Sequence, residues 1–131
     1  MVADIDFTNE EIRAQSNAGI DAMLQMDGAL AAAIVDSESG MVAAQGGTGV
    51  DMEAAAAGYT DVMRAQLRTL RSLNMMDAID DILITTSTQY HLIRTVKAYP
   101  DIFILLVLDR SKSNLAMARI KLRAADNANA I

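Results

Sequence analysis

Residues 100–114, PDIFILLVLDRSKSN, hold the only run of seven consecutive large apolar residues in the chain, Ile102 to Leu108. A strand turns successive side chains to opposite faces, so a run with no polar side requires both faces to be covered. That places 102–108 in the middle of a sheet with helices above and below. Seven residues are too few to cross a bilayer. Pro100 and Asp101 mark its start, because the residue before a proline avoids the helical region. Asp109 and the polar RSKS turn close it before a helical pattern begins. Burying each such side chain contributes roughly 1.5–3 kcal/mol, so the rest of the chain is expected to organise around this strand.

Working outward, Thr8 and Glu11 fit a T-x-x-E capping box, with Phe7 and Ile12 as its hydrophobic staple. A first helix is therefore expected from about Asn9, with Ile12, Gly19, Ile20, Met23 and Met26 along one side until Asp27-Gly28. Ala29–Val35 and Met41–Gln45 flank the DSESG turn and read as a hairpin, and Gly46 to Gly49 as a mobile connection. IDDILITT (79–86) and YHLIRTVKA (90–98) read as strands leading into the central one. Ser113 is positioned to cap a last helix through Leu115, Ala118, Leu122 and Ala125.

The second helix, about Val50 to Leu73, sorts into three faces at ~100° per residue. Met52, Ala56, Tyr59, Met63, Leu67 and Leu70 form an apolar stripe for the sheet. Ala54, Gly58, Asp61, Ala65, Thr69 and Ser72 form a face of mostly small side chains, which lets another helix come close. Arg64, Arg68 and Arg71 form a third, basic face. The helix dipole alone accounts for arginines in the C-terminal half, with Asp51 and Glu53 at the start.

The 131 residues are expected to make one domain, with its core at about 8–125 and a short polar tail at 126–131. With 52% hydrophobic residues the chain should fold, and with no cysteine it has no disulfide or thiolate chemistry. A net charge of −6, two Phe, three Tyr and no Trp argue against nucleic acid. With no signal peptide or membrane-inserting segment in view, the expected location is cytoplasmic.

The candidate chemical sites are weak. Asp36 and Glu38 precede Gly40 at the wrong spacing for a calcium loop, and Gly47 stands where the bidentate Glu belongs. GGTG at Gly46 lacks the Lys-Ser/Thr of a phosphate loop. Asp77, Asp80 and Asp81 offer no clear octahedral set, and His91, the only histidine, cannot form a two-histidine metal site. Arg110 is the only loop arginine and is not assigned as an arginine finger. No catalytic, metal or cofactor-binding residue is therefore assigned.

Two stretches, GALAAAIVDSESGMVAA (28–44) and ITTSTQYHLIRTVKAYPDIFILLVLDRSKSNLAMARIKL (84–122), resemble the Roadblock family of dynein-light-chain-type and bacterial MglB-like domains. The more specific points are Gly28 with Asp36 and Gly40, Tyr90, Leu108-Asp109, Ser113-Asn114-Leu115 and Ala118-Arg119. The resemblance implies an α/β (α+β) sandwich, profilin-like, of order αββαβββα. Its five-stranded antiparallel sheet would run 2-1-5-4-3, with the helix at 50–73 on one face and two helices on the other. It also implies a non-catalytic dimer, homodimer or paralogue heterodimer, extending the sheet across two chains. The interface would then fall on Ala54, Gly58, Asp61 and Ala65 of the helix and Ile82, Leu83, Ile84 and Thr85 of the strand. The implied partner is a Ras-like small GTPase whose nucleotide cycle the dimer modulates, with Arg64, Arg68 and Arg71 as the expected contact. A structural adaptor in a larger assembly is the alternative, and a small-ligand sensor would need a polar-lined pocket that the sequence does not indicate.

Overall fold

A computed structural model describes residues 5–77 and 79–127. Its elements are α1 (Glu10–Leu24), β1 (Ala29–Asp36), β2 (Met41–Gly47), α2 (Met52–Ser72), β3 (Asp81–Thr85), β4 (Gln89–Val96), β5 (Tyr99–Asp109) and α3 (Leu115–Asn127). The strands form one antiparallel sheet in the order β2-β1-β5-β4-β3, as expected. In β5 every residue from Ile102 to Leu108 is buried. Ile102, Ile104, Leu106 and Leu108 pack with Ile20 and Met23 of α1 and Ala118 and Leu122 of α3, whereas Phe103, Leu105 and Val107 pack with Met52, Ala56 and Met63 of α2. One helix covers one face and two cover the other.

The neighbouring strand β1 is alanine-rich, and its partner β2 ends in two glycines. Gly46 and Gly47, expected in a mobile connection, instead pair with Ala32 and Ala31. They are glycines because nothing larger fits. A Cβ on Gly46 would lie 2.8 Å from Ile20 Cγ2 of α1, and one on Gly47, whose φ is +89°, would run into the Leu30 carbonyl. The strand therefore continues beneath α1. Pro100, expected to mark the start of β5, lies just inside it. The register irregularity between Thr95 and Val96 falls there, so its missing N–H breaks no regular ladder.

Both helix caps sit one residue beyond their expected positions. Asn9, not Thr8, caps α1, its Oδ1 accepting from the N–H of Glu11 (2.9 Å) and Ile12 (3.3 Å), while Thr8 bonds back to Asp6. Asn114, not Ser113, caps α3 by accepting from Met117 N–H at 3.0 Å. Ser113 instead packs against Gly28, where an added Cβ would come within 2.8 Å of its own.

The motif residues behind the family resemblance have local structural work. Gly40 N–H donates to Asp36 O at 2.7 Å and closes the β1–β2 turn, and Asp109 N–H donates to Gly28 O at 2.8 Å. Asp109 Oδ1 holds Ser111 at 2.7 Å, and those bonds keep its carboxyl below the usual carboxylate range. Arg119 of α3 grips Asp81 of β3 with two bonds of 3.1 Å.

Asp126, expected as the first tail residue, belongs to the core. Its carboxylate is buried and accepts from Arg94 Nε and Nη2 of β4 at 3.2 and 3.1 Å, and from Lys97 N–H at 3.0 Å. The remaining tail, 128–131, lies outside the described residues. Removing one member of a buried ion pair strands the other charge, at a cost of about 3–5 kcal/mol, whereas replacing both with apolar groups is often neutral. Asp126→Ala should therefore lower the urea midpoint severely and Arg94→Met/Asp126→Leu should recover most of it. Equal losses in the two variants would mean that the charge pairing is not what fastens α3.

Candidate partner-binding surface

The amphipathic stripe of α2 meets the sheet over only part of its length. Asp51 caps the helix by accepting from Ala54 N–H at 3.1 Å, and Met52, Ala56, Thr60 and Met63 are buried. After Met63 the stripe runs past its cover: Leu67 is exposed and Leu70 half-buried. Asn74, at φ +58°, then ends the helix, with Met75 N–H donating to Leu70 O at 2.9 Å. Leu73, Met75 and Met76 after it are exposed, Met76 to 93%. The distal turns of α2 thus carry apolar side chains that nothing in the described chain covers.

The small face of α2 is open throughout. Ala54, Gly58, Asp61, Ala65, Thr69 and Ser72 are all exposed, and a side-chain carbon added at Gly58 would meet nothing within 4 Å. At the end of the sheet, β3 pairs only with β4, so its outer backbone edge is unpaired within the described chain. The side chains of β3 divide between the faces. Ile82 and Ile84 pack toward α2, Leu83 packs with the opposite cluster and Thr85 is exposed. What β3 offers outward is therefore main chain more than apolar side chains.

The three arginines of α2 are exposed but not equivalent. Arg64 Nη2 donates to the carbonyls of Ser37 (2.9 Å) and Glu38 (2.8 Å), tying α2 to the β1–β2 turn, and Nη1 lies 3.8 Å from Asp61. The side chains of Arg68 and Arg71 form no hydrogen bond or ion pair with the described residues. Arg110, the loop arginine, donates to Thr86 O at 2.7 Å and stacks on Tyr90 with its guanidinium carbon 5.4 Å from the ring centre. Below the distal part of α2 lies a cleft of about 430 Å³ lined by Met63, Leu67, Ile79, Val96 and Phe103, with Lys97 and Asp101 among its polar members. Among the described residues no group of three or more histidine and carboxylate side chains is gathered to hold a metal.

Sequence reasoning did not find the polar contact between α2 and the sheet. Tyr59 and His91 meet edge to face, the Tyr59 hydroxyl lying 2.5 Å from His91 Nδ1, while Nε2 lies 2.8 Å from Gln89 Oε1. With Gln89 oriented so that Oε1 faces the ring, Nε2 donates to it and the Tyr59 hydroxyl donates to Nδ1. Burial raises the Tyr59 pKa and lowers that of His91. The i, i+2 spacing of Gln89 and His91 on one strand face was the only available signal, and a long-range partner on α2 leaves no trace in local sequence.

No protein-family model matches the chain, and comparison with curated proteins gives no significant match. Solved structures do resemble it. MglB of Myxococcus xanthus aligns with a TM-score of 0.77 at 14% identity, covering 97% of this chain and 89% of that one. The gliding protein MglB of Thermus thermophilus gives 0.76 at 15%, covering 89% and 87%. A Roadblock/LC7 domain of Streptomyces avermitilis gives 0.74 at 10%, covering 86% and 92%. At such identities the likeness is one of fold, and the chain has the Roadblock/LC7, MglB-like fold.

The Tyr59–His91 contact generates a pH dependence. The folded-state pKa of His91 lies below its ordinary 6.5, so the unfolded chain takes up the proton first as the pH falls. Its effect on stability is absent above about 6.5 and destabilising below it, growing until the lower folded pKa is reached. Chemical denaturation at fixed protein concentration should give lower stability at pH 5 than at pH 7, with a shallower slope in His91→Gln. An unchanged slope in that variant would remove His91 from the account.

Proposed function

We propose that this Roadblock/LC7-fold chain is a non-catalytic dimer, acting in the cytoplasm, that binds a Ras-like small GTPase and modulates its nucleotide cycle, preferably by accelerating hydrolysis. Two observations carry the reading, the open small-residue face of α2 and the unpaired outer edge of β3. An edge strand left bare invites pairing with another chain, and a face of alanine, glycine and threonine lets two helices approach closely. Two copies joined at these elements would form a ten-stranded sheet from two of five strands each. A paralogue with the same edge could take the place of the second copy.

Two such subunits would set their distal α2 turns and clefts on one side, beside Arg68 and Arg71. On a chain of charge −6 these arginines give a local positive surface suited to acidic side chains of a partner. Arg64 contributes mainly by holding the β1–β2 turn. With Arg110 bonded to Thr86 and stacked on Tyr90, acceleration of hydrolysis would come from positioning the GTPase's own groups. The same restraint favours, as the second reading, an adaptor that holds the partner within a larger assembly.

Light scattering during gel filtration should report twice 14.1 kDa at micromolar concentration, with Gly58→Arg and Ala65→Arg shifting the equilibrium toward monomer. A monomeric parent, or two variants that dimerise like the parent, would overturn the dimer. A small GTPase from the same cell should bind more tightly with a GTP analogue than with GDP. Arg68→Glu/Arg71→Glu should weaken that binding roughly three- to thirty-fold, with less salt dependence, as expected for exposed charge pairs. Failure to bind any such GTPase in either nucleotide state would favour the adaptor.

A further inference from the structure

The side of α3 turned away from the sheet has a pattern that neither the core nor the α2 surface explains. The inner side of the helix is accounted for by Ala118, Leu122 and the two ion pairs of Arg119 and Asp126. On the outer side Met117 is 46% and Ile120 56% exposed, and with Ala124 they form a second apolar ridge at helical spacing. At ~100° per residue, Lys121 and Arg123 flank that ridge, roughly 70–90° to either side. Both are exposed. From 110 to 125 the chain has five Lys and Arg and no Asp or Glu, on a protein whose net charge is −6.

Beside the ridge, a cleft of about 270 Å³ opens between α1 and α3. It is lined by Ala22, Met23, Met26, Leu122 and Ala125, with Lys121 among its walls. The exposed carboxylates of α1 are turned elsewhere. Asp21 lies roughly 100–160° round the helix from the cleft-lining Gly19, Ala22 and Met23, and Glu10 and Glu11 are in the first turn.

We propose that the outer side of α3 docks on an anionic lipid headgroup layer. The contact is peripheral, for no helix among the described residues is long and apolar enough to cross a membrane. A convex apolar ridge fringed by a cation on each side suits a plane. Met117 and Ile120 reach the acyl boundary while the Lys121 and Arg123 stems lie along them and set their charges at phosphate level. The cleft accepts an apolar chain segment next to Lys121. A second copy does not fit the ridge, because α3 against α3 would bring like charges together. The face is opposite α2, so lipid and a partner at α2 can be held at once.

The test is sedimentation of the 131-residue protein with vesicles. It should pellet with phosphatidylglycerol vesicles at low salt, stay in solution with phosphatidylcholine vesicles, and be released as salt rises. Lys121→Glu/Arg123→Glu should weaken binding about twenty-five-fold or more, at roughly five-fold per cation. Met117→Ser/Ile120→Ser should weaken it severalfold, with the melting temperatures of both variants near the parent's. If the charge-reversal variant misfolds, Lys121→Gln/Arg123→Gln should give a smaller loss in the same direction. No sedimentation with phosphatidylglycerol, or binding indifferent to both pairs of substitutions, would overturn the proposal. Equal binding to soluble polyglutamate would also overturn it and assign the face to an acidic protein.

Discussion

Burying β5 on both faces is the constraint from which the rest of the molecule follows. A strand with seven consecutive apolar residues needs two flanking strands to satisfy its backbone and two layers of helix to cover its side chains. The chain supplies the first with β1 and β4. It supplies the second unequally, with α2 alone on one face and α1 with α3 on the other. The side of α2 turned away from the sheet, with its small residues, and the distal apolar turns are left uncovered by the described chain.

The two-helix face is closed by charge as well as by apolar packing. Asp126 and Arg119, seven residues apart on α3, each meet a partner on the β3–β4 side of the sheet, Arg94 and Asp81 respectively. These partners stand opposite one another across the β3–β4 ladder. The pairs differ in character. Arg94–Asp126 is almost wholly out of water, where the cost of desolvation offsets much of the attraction, whereas Arg119–Asp81 keeps partial access to solvent. Together they set the rotation of α3 about its axis, and hence which of its side chains face outward.

Local pattern carried much of the fold and little of the surface. The run 102–108 located the central strand, and the residues of the two hairpins brought out the family likeness from which the strand order follows. The caps moved by one residue because Thr8 and Asn9, and again Ser113 and Asn114, are adjacent residues of similar capping chemistry, and only tertiary packing chooses between them. Gly46 and Gly47 read as a linker because a close approach to α1 and β1 is a fact about neighbours distant in sequence. Asp126 looked like tail for the same reason, its partner Arg94 lying thirty-two positions away. On the surface, the three arginines of α2 share one helical face in sequence, yet a tether to the β1–β2 turn distinguishes Arg64 from the other two.

That tether also makes a mechanical linkage. Arg64 holds the carbonyls of Ser37 and Glu38, and Ser37 in turn donates through its N–H and its hydroxyl to Asp101 O, at 2.8 and 2.9 Å. Asp101 and Ser37 both line the cleft beneath the distal part of α2. A short relay of hydrogen bonds thus runs from the exposed surface of the helix, through the turn of the first hairpin, to the beginning of the central strand. The middle of α2 is thus joined to the start of the central strand by hydrogen bonds as well as by the apolar packing of its buried stripe.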